Sequence, residues 1–327
     1  MTALHSFLLA DFLGTATWLW LTFFAVVIAL LAFDLGVLHH DAHEIGIRES
    51  LLLSAGYISV GLLFALWVWG QKGGDAGMDY LTGFLIEKSL SMDNVFLMAV
   101  IFNFLGIPRR YQHKVLFWGI LGVIVLRAAM IGLGAALIHQ FSGILYVFGV
   151  FLLLTGVRML FARLDETPDL ESNLLVRFLR SHLRITERLH EQRFFVRRPD
   201  ASGRPVLWIT PLLLALILIE CADVVFAVDS VPAIFAITQD PFIVYTSNIF
   251  AILGLRALYF ALAALIHRFA YLKYALALVL VFIGGKIFLV GIIGKLPAAL
   301  SLGVTLSLLV GGVLVSLWKT RDRAAGG

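Results

Sequence analysis

The chain has 327 residues, of which 61% are hydrophobic and 14% are charged, with 25 Lys and Arg against 21 Asp and Glu. An ordinary soluble domain has about 25% charged residues, so the composition excludes that class. The single cysteine, Cys221, excludes an internal disulfide and a paired-thiol redox centre. Apolar runs of about 20 residues, the length that crosses a bilayer, recur along the chain, so the sequence predicts an integral membrane protein.

Nine apolar segments, taken in chain order, predict an all-α membrane protein that forms a single transmembrane domain over residues 1–327. The N-terminal residues lack the basic start and the cleavage site of a signal peptide, so we expect them to be retained. The predicted spans are 17–38, 51–70, 80–105, 115–138, 143–161, 208–237, 242–266, 272–291 and 296–318.

The longest polar segment, residues 162–204, determines the expected orientation of the chain. It contains nine arginines and is too hydrophilic to enter the bilayer. Because loops rich in Lys and Arg stay on the cytoplasmic side, we expect the N-terminus outside and the C-terminus inside. The basic balance of the chain therefore indicates topology rather than binding to nucleic acid, and protein partners stay unknown.

Within this loop, leucine and phenylalanine recur at helical spacing from Leu174 to Leu183, with arginines between them. The pattern predicts a basic amphipathic helix that lies on membrane lipid, held by apolar burial and by attraction to anionic headgroups. The alternative is a regulatory gate in which His182 and His190 sense pH.

Three short sequences occur twice, in the same order and at nearly constant spacing, which indicates an internal repeat. The copies are residues 80–161 and 208–291, with three predicted helices each, and the odd number makes the second copy inverted in the membrane. Inverted repeats are typical of transporters with a site near the bilayer midplane. The alternative is a duplicated scaffold that transports nothing. The matches pair Asp93-Asn94-Val95-Phe96 with Asp223-Val224-Val225-Phe226, Leu126-Arg127-Ala128 with Leu255-Arg256-Ala257, and 136–141 with 264–269.

Six carboxylates and five basic side chains fall inside the predicted spans. One ionisable group at the bilayer centre costs about 2.5–3.5 kcal/mol, so these groups must be paired, hydrated or bound to an ion. We interpret Arg127 and Arg256 as structural partners of the acids. The surplus of one negative charge favours a bound cation. The groups are Asp34, Glu87, Asp93, Glu220, Asp223 and Asp229, with Lys88, Arg127, Arg158, Arg256 and Lys286.

The acids concentrate in the first helix of each copy, where a continuous helix would not direct them all at one ion. Glu87 and Asp93 lie about 240° apart at 100° per residue. We therefore expect helix interruptions near Ser91 and near Pro232, whose freed carbonyls would join the carboxylates around a metal.

Carboxylate, amide and carbonyl oxygens suit Mn²⁺, Mg²⁺ or Ca²⁺ better than zinc or copper. Asp34 and Asn248 are further candidates to complete the set of ligands, although a helix-terminal Asp is often only solvated. The polar cluster from His39 to Glu44 is a second pattern that could bind metal, or an ordinary loop. The full set of candidate metal ligands is Glu87, Asp93, Asn94, Glu220, Asp223, Asp229, Asp34 and Asn248.

The segments 87–96 and 226–233, together with 246–257, resemble the TerC family and most closely its Alx branch. The resemblance extends over residues 33–302. It implies a bacterial inner-membrane protein of metal homeostasis, chiefly manganese efflux, in a family named for tellurium resistance. Carried over to this chain, the acidic positions of the family are Glu87, Asp93, Glu220, Asp223 and Asp229, with Asn94 and Asn248 as polar companions.

The hypothesis that follows is Mn²⁺ efflux by alternating access with proton exchange, in which the metal ion is cargo and there is no prosthetic group. Ca²⁺ or another divalent ion is an open alternative. A non-transporting membrane scaffold in the response to tellurite or envelope stress is the second hypothesis. We expect no enzyme, because no catalytic motif such as GxSxG or HExxH occurs in the chain.

Overall fold

The computed structural model describes residues 2–36, 46–141, 143–161, 174–186, 188–199, 204–265, 271–294 and 296–324. These residues are mainly α-helical and include two short antiparallel hairpins. In chain order the elements are α1 Thr2–Leu9, β1 Asp11–Phe12, β2 Thr15–Ala16, α2 Thr17–Gly36, α3 Ile47–Lys72, α4 Gly74–Phe104, α5 Arg109–Gln140, α6 Ile144–Phe161, α7 Leu174–His182, β3 Phe195–Pro199, β4 Pro205–Ile209, α8 Pro211–Phe235, α9 Pro241–Leu265, α10 Leu272–Ile293 and α11 Ala298–Ala324.

Among the described residues, seven helices are long and apolar enough to cross a membrane, which confirms an all-α membrane protein. They are α2, α3, α5, α6, α8, α10 and α11. Helices α4 and α9 coincide with the two other predicted spans. Helix α4 carries Glu87, Lys88 and Asp93 within two turns, and the apolar stretch of α9 is Pro241–Leu255, before Arg256. A count of nine spans therefore stays a prediction.

Some helix ends differ from the predicted ones, because a proline or a hairpin determines where the helix begins. Helix α8 begins at Pro211 rather than at Trp208, because Trp208 pairs with Val196 in the β3–β4 hairpin. Proline is well tolerated at the first helical position, where its missing N–H is not needed. The predicted loop helix is present as α7, whereas the hairpin that follows it was not predicted.

The predicted helix interruptions near Ser91 and Pro232 are wrong for the described backbone. Helix α4 is continuous from Gly74 to Phe104, and α8 is continuous from Pro211 to Phe235. Pro232 lies in the last turn of α8, where few helical hydrogen bonds remain to be lost. The described backbone near Ser91 and Pro232 therefore provides none of the freed carbonyls that were expected around a metal.

Helices α6 and α10 approach each other backbone to backbone through glycines. A Cβ atom on Gly284 would lie 2.8 Å from the Gly149 carbonyl oxygen, and one on Gly149 would lie 3.3 Å from the Gly284 carbonyl oxygen. A Cβ atom on Gly156 would lie 2.8 Å from the carbonyl oxygen of Ala277. Small residues allow such close helix contacts in membranes.

The remaining long helices place the acidic segments in the centre of the bundle. Helix α4 packs against α9 and α8, and α5 packs against α8 and α9. A cluster of buried aromatic side chains, among them Phe23, Phe64 and Phe250, joins α2, α3 and α9 beside them. The first helices of the two sequence copies, α4 and α8, therefore pack directly against each other.

Candidate functional site

Arg127 lies fully buried on α5 and binds carboxylates from two other helices. Its Nε donates to Asp223 Oδ2 over 3.1 Å, and its Nη2 donates to Asp223 Oδ1 over 3.0 Å. Its Nη1 lies 3.1 Å from Glu87 Oε1 and donates to Ser230 Oγ over 2.7 Å. One guanidinium therefore neutralises part of the charge of α4 and α8, and the interpretation of Arg127 as a partner of the acids agrees with this geometry.

Glu87 is the second carboxylate of this group and receives further hydrogen bonds. Asn248 on α9 donates from Nδ2 to Glu87 Oε2 over 2.9 Å. Ser91, one turn further along α4, donates to Glu87 Oε1 over 3.4 Å. Glu87 is 1% exposed and Asn248 is fully buried, so these contacts lie away from water.

Two amide oxygens in this group have no hydrogen-bond donor among the described atoms. Asn94 donates from Nδ2 to Asp223 Oδ1 over 3.4 Å, and its own Oδ1 is buried without a partner. The Oδ1 of Asn248 is also buried without a partner. Orphaned acceptors are rare in folded proteins and call for a water or an ion. We refer to Glu87, Asn94, Arg127, Asp223 and Asn248 as the central cluster.

An open cleft of about 530 Å³ leads to the central cluster. Its lining comes from α4, α5, α6, α8 and α10 and includes Glu87, Asn94, Arg127, Arg158, Asp229 and Ser230. Arg158 lies near the C-terminal end of α6 and Lys273 near the start of α10, so the cleft extends towards the side of the bundle where the large loop begins. A small ion could reach the buried carboxylates by this route.

Asp229 lies on the wall of the cleft rather than in the central cluster. Thr155 on α6 donates to its Oδ1 over 3.4 Å. Asp229 is therefore positioned along the approach to Glu87 and Asp223. The sequence did not predict its contact with Thr155, because Thr155 belongs to no recognisable motif.

Glu220 faces a different part of α5. A Cβ atom on Gly122 would lie 2.5 Å from Glu220 Oε1, and one on Gly119 would lie 3.5 Å from the same oxygen. Both carboxyl oxygens of Glu220 are buried and have no hydrogen-bond partner among the described atoms. The sequence placed Glu220 and Asp223 on one helix face, and both do face α5, but they meet different neighbours.

The remaining predicted ligands are Asp34 and Asp93. Asp34 is buried near the end of α2, where it is 4% exposed. The side chains of Asp93 and Arg256, and the cluster from His39 to Glu44, lie outside the described part of the structure. Among the described side chains, no three His, Cys, Asp or Glu residues lie close enough together to hold a metal.

Two basic side chains of the predicted spans bind neighbouring helices instead of the central acids. Lys88 donates from Nζ to the Ala251 carbonyl of α9 over 3.1 Å. Lys286 donates from Nζ to Ser301 Oγ of α11 over 2.8 Å. These lysines therefore connect helices.

Residues 72–324 match the family described as "Integral membrane protein TerC family". An uncharacterized membrane protein of Rickettsia bellii is 47% identical over 298 residues, 91% of this chain and 96% of that protein. An uncharacterized membrane protein of Myxococcus xanthus is 47% identical over 303 residues, 93% of each chain. A protein of Escherichia coli strain K12, named as a proposed membrane-bound redox modulator, Alx, is 47% identical over 320 residues, 94% of this chain and 98% of that protein. No solved structure shows a significant match.

Proposed function

Because the chain belongs to the TerC family of integral membrane proteins, we propose that it exports a divalent metal ion, Mn²⁺ before Ca²⁺, by alternating access in exchange for protons. The metal ion is cargo, so the proposal includes neither a prosthetic group nor an enzymatic reaction. The observation that carries it is the pair of buried, unpartnered amide oxygens of Asn94 and Asn248 beside two buried carboxylates.

Those oxygens favour a cation because nothing else among the described atoms satisfies them. Leaving a buried acceptor without a partner costs about 1–3 kcal/mol. Carboxylate and amide oxygens are ligands that hard divalent ions prefer. Glu87 and Asp223 would supply the charge, and Asn94 and Asn248 would supply neutral oxygens.

The formal charges of the central cluster support the same proposal. Glu87 and Asp223 carry two negative charges and Arg127 carries one positive charge, which leaves one negative charge in excess. We propose that Arg127 withdraws when the ion binds and returns when the ion leaves. When the site is empty, the guanidinium would neutralise one of the two buried carboxylates. Without it, both carboxylates would be charged, buried and uncompensated, which is energetically costly.

Protons are the proposed counter-ions, because a buried carboxylate without a counter-charge is energetically unfavourable. After the metal ion leaves, carboxylates that Arg127 does not neutralise would take up protons rather than stay charged in a medium of low dielectric constant. Asp229 on the cleft wall, Glu220 beside Gly122, Asp34 and Asp93 stay in the proposal as further acids that act on the ion or on the protons.

The proposal also takes α4 and α9 as membrane spans and residues 80–161 and 208–291 as inverted repeats. Helix pairings support the repeat. In the two copies α4 corresponds to α8, α5 to α9 and α6 to α10. The contact α4–α9 therefore corresponds to the contact α8–α5, and both pairs are packed. The pair α6–α10 corresponds to itself. We further propose the bacterial inner membrane, with the N-terminus outside and the C-terminus in the cytoplasm.

The test is uptake of Mn²⁺ into proteoliposomes under an imposed pH gradient, with Ca²⁺ and Mg²⁺ as competitors. We expect Asn248→Leu to reduce the flux about tenfold or more, the loss seen when a residue that supports a metal site is removed. Asn103→Leu is the matched control, because Asn103 is an exposed asparagine at the end of α4. Asp93→Asn should abolish the flux without preventing insertion.

Two results would argue against the proposal. Normal export by Asn248→Leu would show that the central cluster does not bind the ion. A folded wild-type protein that shows no flux of any of the three ions would favour the scaffold hypothesis, in which loop truncations rather than Asp→Asn changes abolish the phenotype.

A further inference from the structure

The loop between α6 and α8 exposes large apolar side chains next to arginines. On α7, Val176 is buried against the bundle, whereas Leu174 and Phe178 are 80% and 57% exposed. Leu174 and Phe178 are four residues apart and so share a helix face, and exposed Arg177 lies between them. Contact with an apolar phase would remove the apolar surface of Leu174 and Phe178 from water, which is favourable.

The β3–β4 hairpin repeats this pattern on one of its faces. Arg197 pairs with Leu207 and Phe195 pairs with Ile209, and paired residues project to the same side of a sheet. Phe195 is 51% exposed and Leu207 is 55% exposed. We call Phe195, Arg197 and Leu207 the outer hairpin face.

The opposite hairpin face has a different environment. Val196 pairs with Trp208 and Arg198 pairs with Val206 on that side. The Nη2 atom of Arg198 lies 2.9 Å from His190 Nε2, so this arginine is directed at the loop. Arg197 and Arg198 are adjacent in sequence but lie on opposite hairpin faces, so a substitution of Arg198 is a control for the same substitution of Arg197.

Several contacts hold this loop at the ends of membrane-spanning helices. Lys114, near the start of α5, donates to the Gln192 carbonyl over 2.6 Å, and its Nζ lies 5.1 Å from the centre of the Phe194 ring. Thr210, the residue before α8, donates from Oγ1 to the Arg193 carbonyl over 2.7 Å. Because α5 and α8 are long and apolar enough to cross a membrane, we expect their first residues near the membrane surface.

We propose that the outer hairpin face, together with the exposed face of α7, binds anionic phospholipid of the adjacent leaflet. The apolar side chains enter the boundary of the acyl chains, and Arg177 and Arg197 bind headgroup phosphates. Arginine suits this role because its planar fork makes two hydrogen bonds to one phosphate. This inference goes beyond metal transport and does not depend on it.

Fluorescence quenching by brominated lipid tests the location of the two faces. The full chain, with Cys221→Ala as background, receives one fluorophore through Leu207→Cys or Phe178→Cys and is placed in nanodiscs of equal parts phosphatidylcholine and phosphatidylglycerol. With either lipid brominated in turn, we expect strong quenching at both positions, and stronger quenching by phosphatidylglycerol. Val206→Cys, on the opposite hairpin face, is the matched control and should be quenched weakly.

Substitution of the two adjacent arginines tests the role of charge. Arg197→Gln should lower the preference for phosphatidylglycerol at position 207 about fivefold, the effect of one basic residue near an anionic surface. Arg198→Gln should leave the preference unchanged. An unquenched label at either position, equal quenching by the two lipids, or equal effects of the two substitutions would overturn the proposal.

Discussion

The Arg127 guanidinium and the Asp223 carboxylate meet through two hydrogen bonds, from Nε to Oδ2 over 3.1 Å and from Nη2 to Oδ1 over 3.0 Å. Both side chains are buried, and the pair joins α5 to α8. Because Glu87 of α4 lies 3.1 Å from the same guanidinium, one side chain holds three helices together.

Removal of this guanidinium should destabilise the protein strongly. Arg127→Gln leaves Glu87 and Asp223 buried without a counter-charge, so we expect the free energy of unfolding to fall by about 3–5 kcal/mol. Arg127→Lys should recover only part of this loss, since an ammonium group cannot form the same paired hydrogen bonds. Unfolding in mixed detergent micelles measures both. The exposed Arg158 provides the control, and a similar loss for Arg158→Gln would contradict the prediction.

Neutralising the whole group should separate stability from transport. The triple variant Glu87→Gln, Arg127→Gln, Asp223→Asn has no buried charge left at these positions, so it should be clearly more stable than Arg127→Gln alone. It should nevertheless carry no Mn²⁺ in the proteoliposome assay, because both anionic ligands are gone. Mn²⁺ flux in a stable triple variant would show that the ion is bound elsewhere.

The contact between Gly122 and Glu220 predicts a large effect of one methyl group. In Gly122→Ala the new Cβ atom would lie 2.5 Å from Glu220 Oε1, so the carboxylate or the helix must move, at a cost of about 1–3 kcal/mol. Gly132→Ala on the same helix meets nothing within 4 Å and should be neutral or slightly stabilising.

A second substitution identifies the cause of that effect. Glu220→Ala should largely rescue the stability of Gly122→Ala, since it removes the group that the methyl meets. Thermal unfolding of the two single variants and the double variant measures the coupling. Purely additive losses would place the clash elsewhere.

The only cysteine should be dispensable for transport. Cys221→Ala should keep wild-type Mn²⁺ flux, and its flux should not respond to oxidants or reductants. The E. coli relative is named for redox modulation, but one thiol within the 327 residues cannot form an internal disulfide. Loss of flux on oxidation of the wild type, absent in Cys221→Ala, would give this residue a redox role.

The length of the hydrophobic segments made the helices predictable from the sequence, but it did not predict which groups each acid contacts. Glu220 and Asp223 are three residues apart and so share a helix face, yet Asp223 binds a guanidinium and Glu220 lies beside two glycines. That difference depends on which turn of α5 lies opposite, and helix periodicity does not report it. The β3–β4 hairpin escaped prediction because its two adjacent arginines interrupt the apolar alternation of a strand.

The glycine contacts between α6 and α10 determine how the cleft can change width. One wall of the cleft includes Thr155 of α6 and Leu280 of α10, and these two helices touch along their main chains. Close main-chain contact of this kind leaves the two helices little room to move past each other. We therefore expect α6 and α10 to move together, as one rigid body, in any change of the width of the cleft.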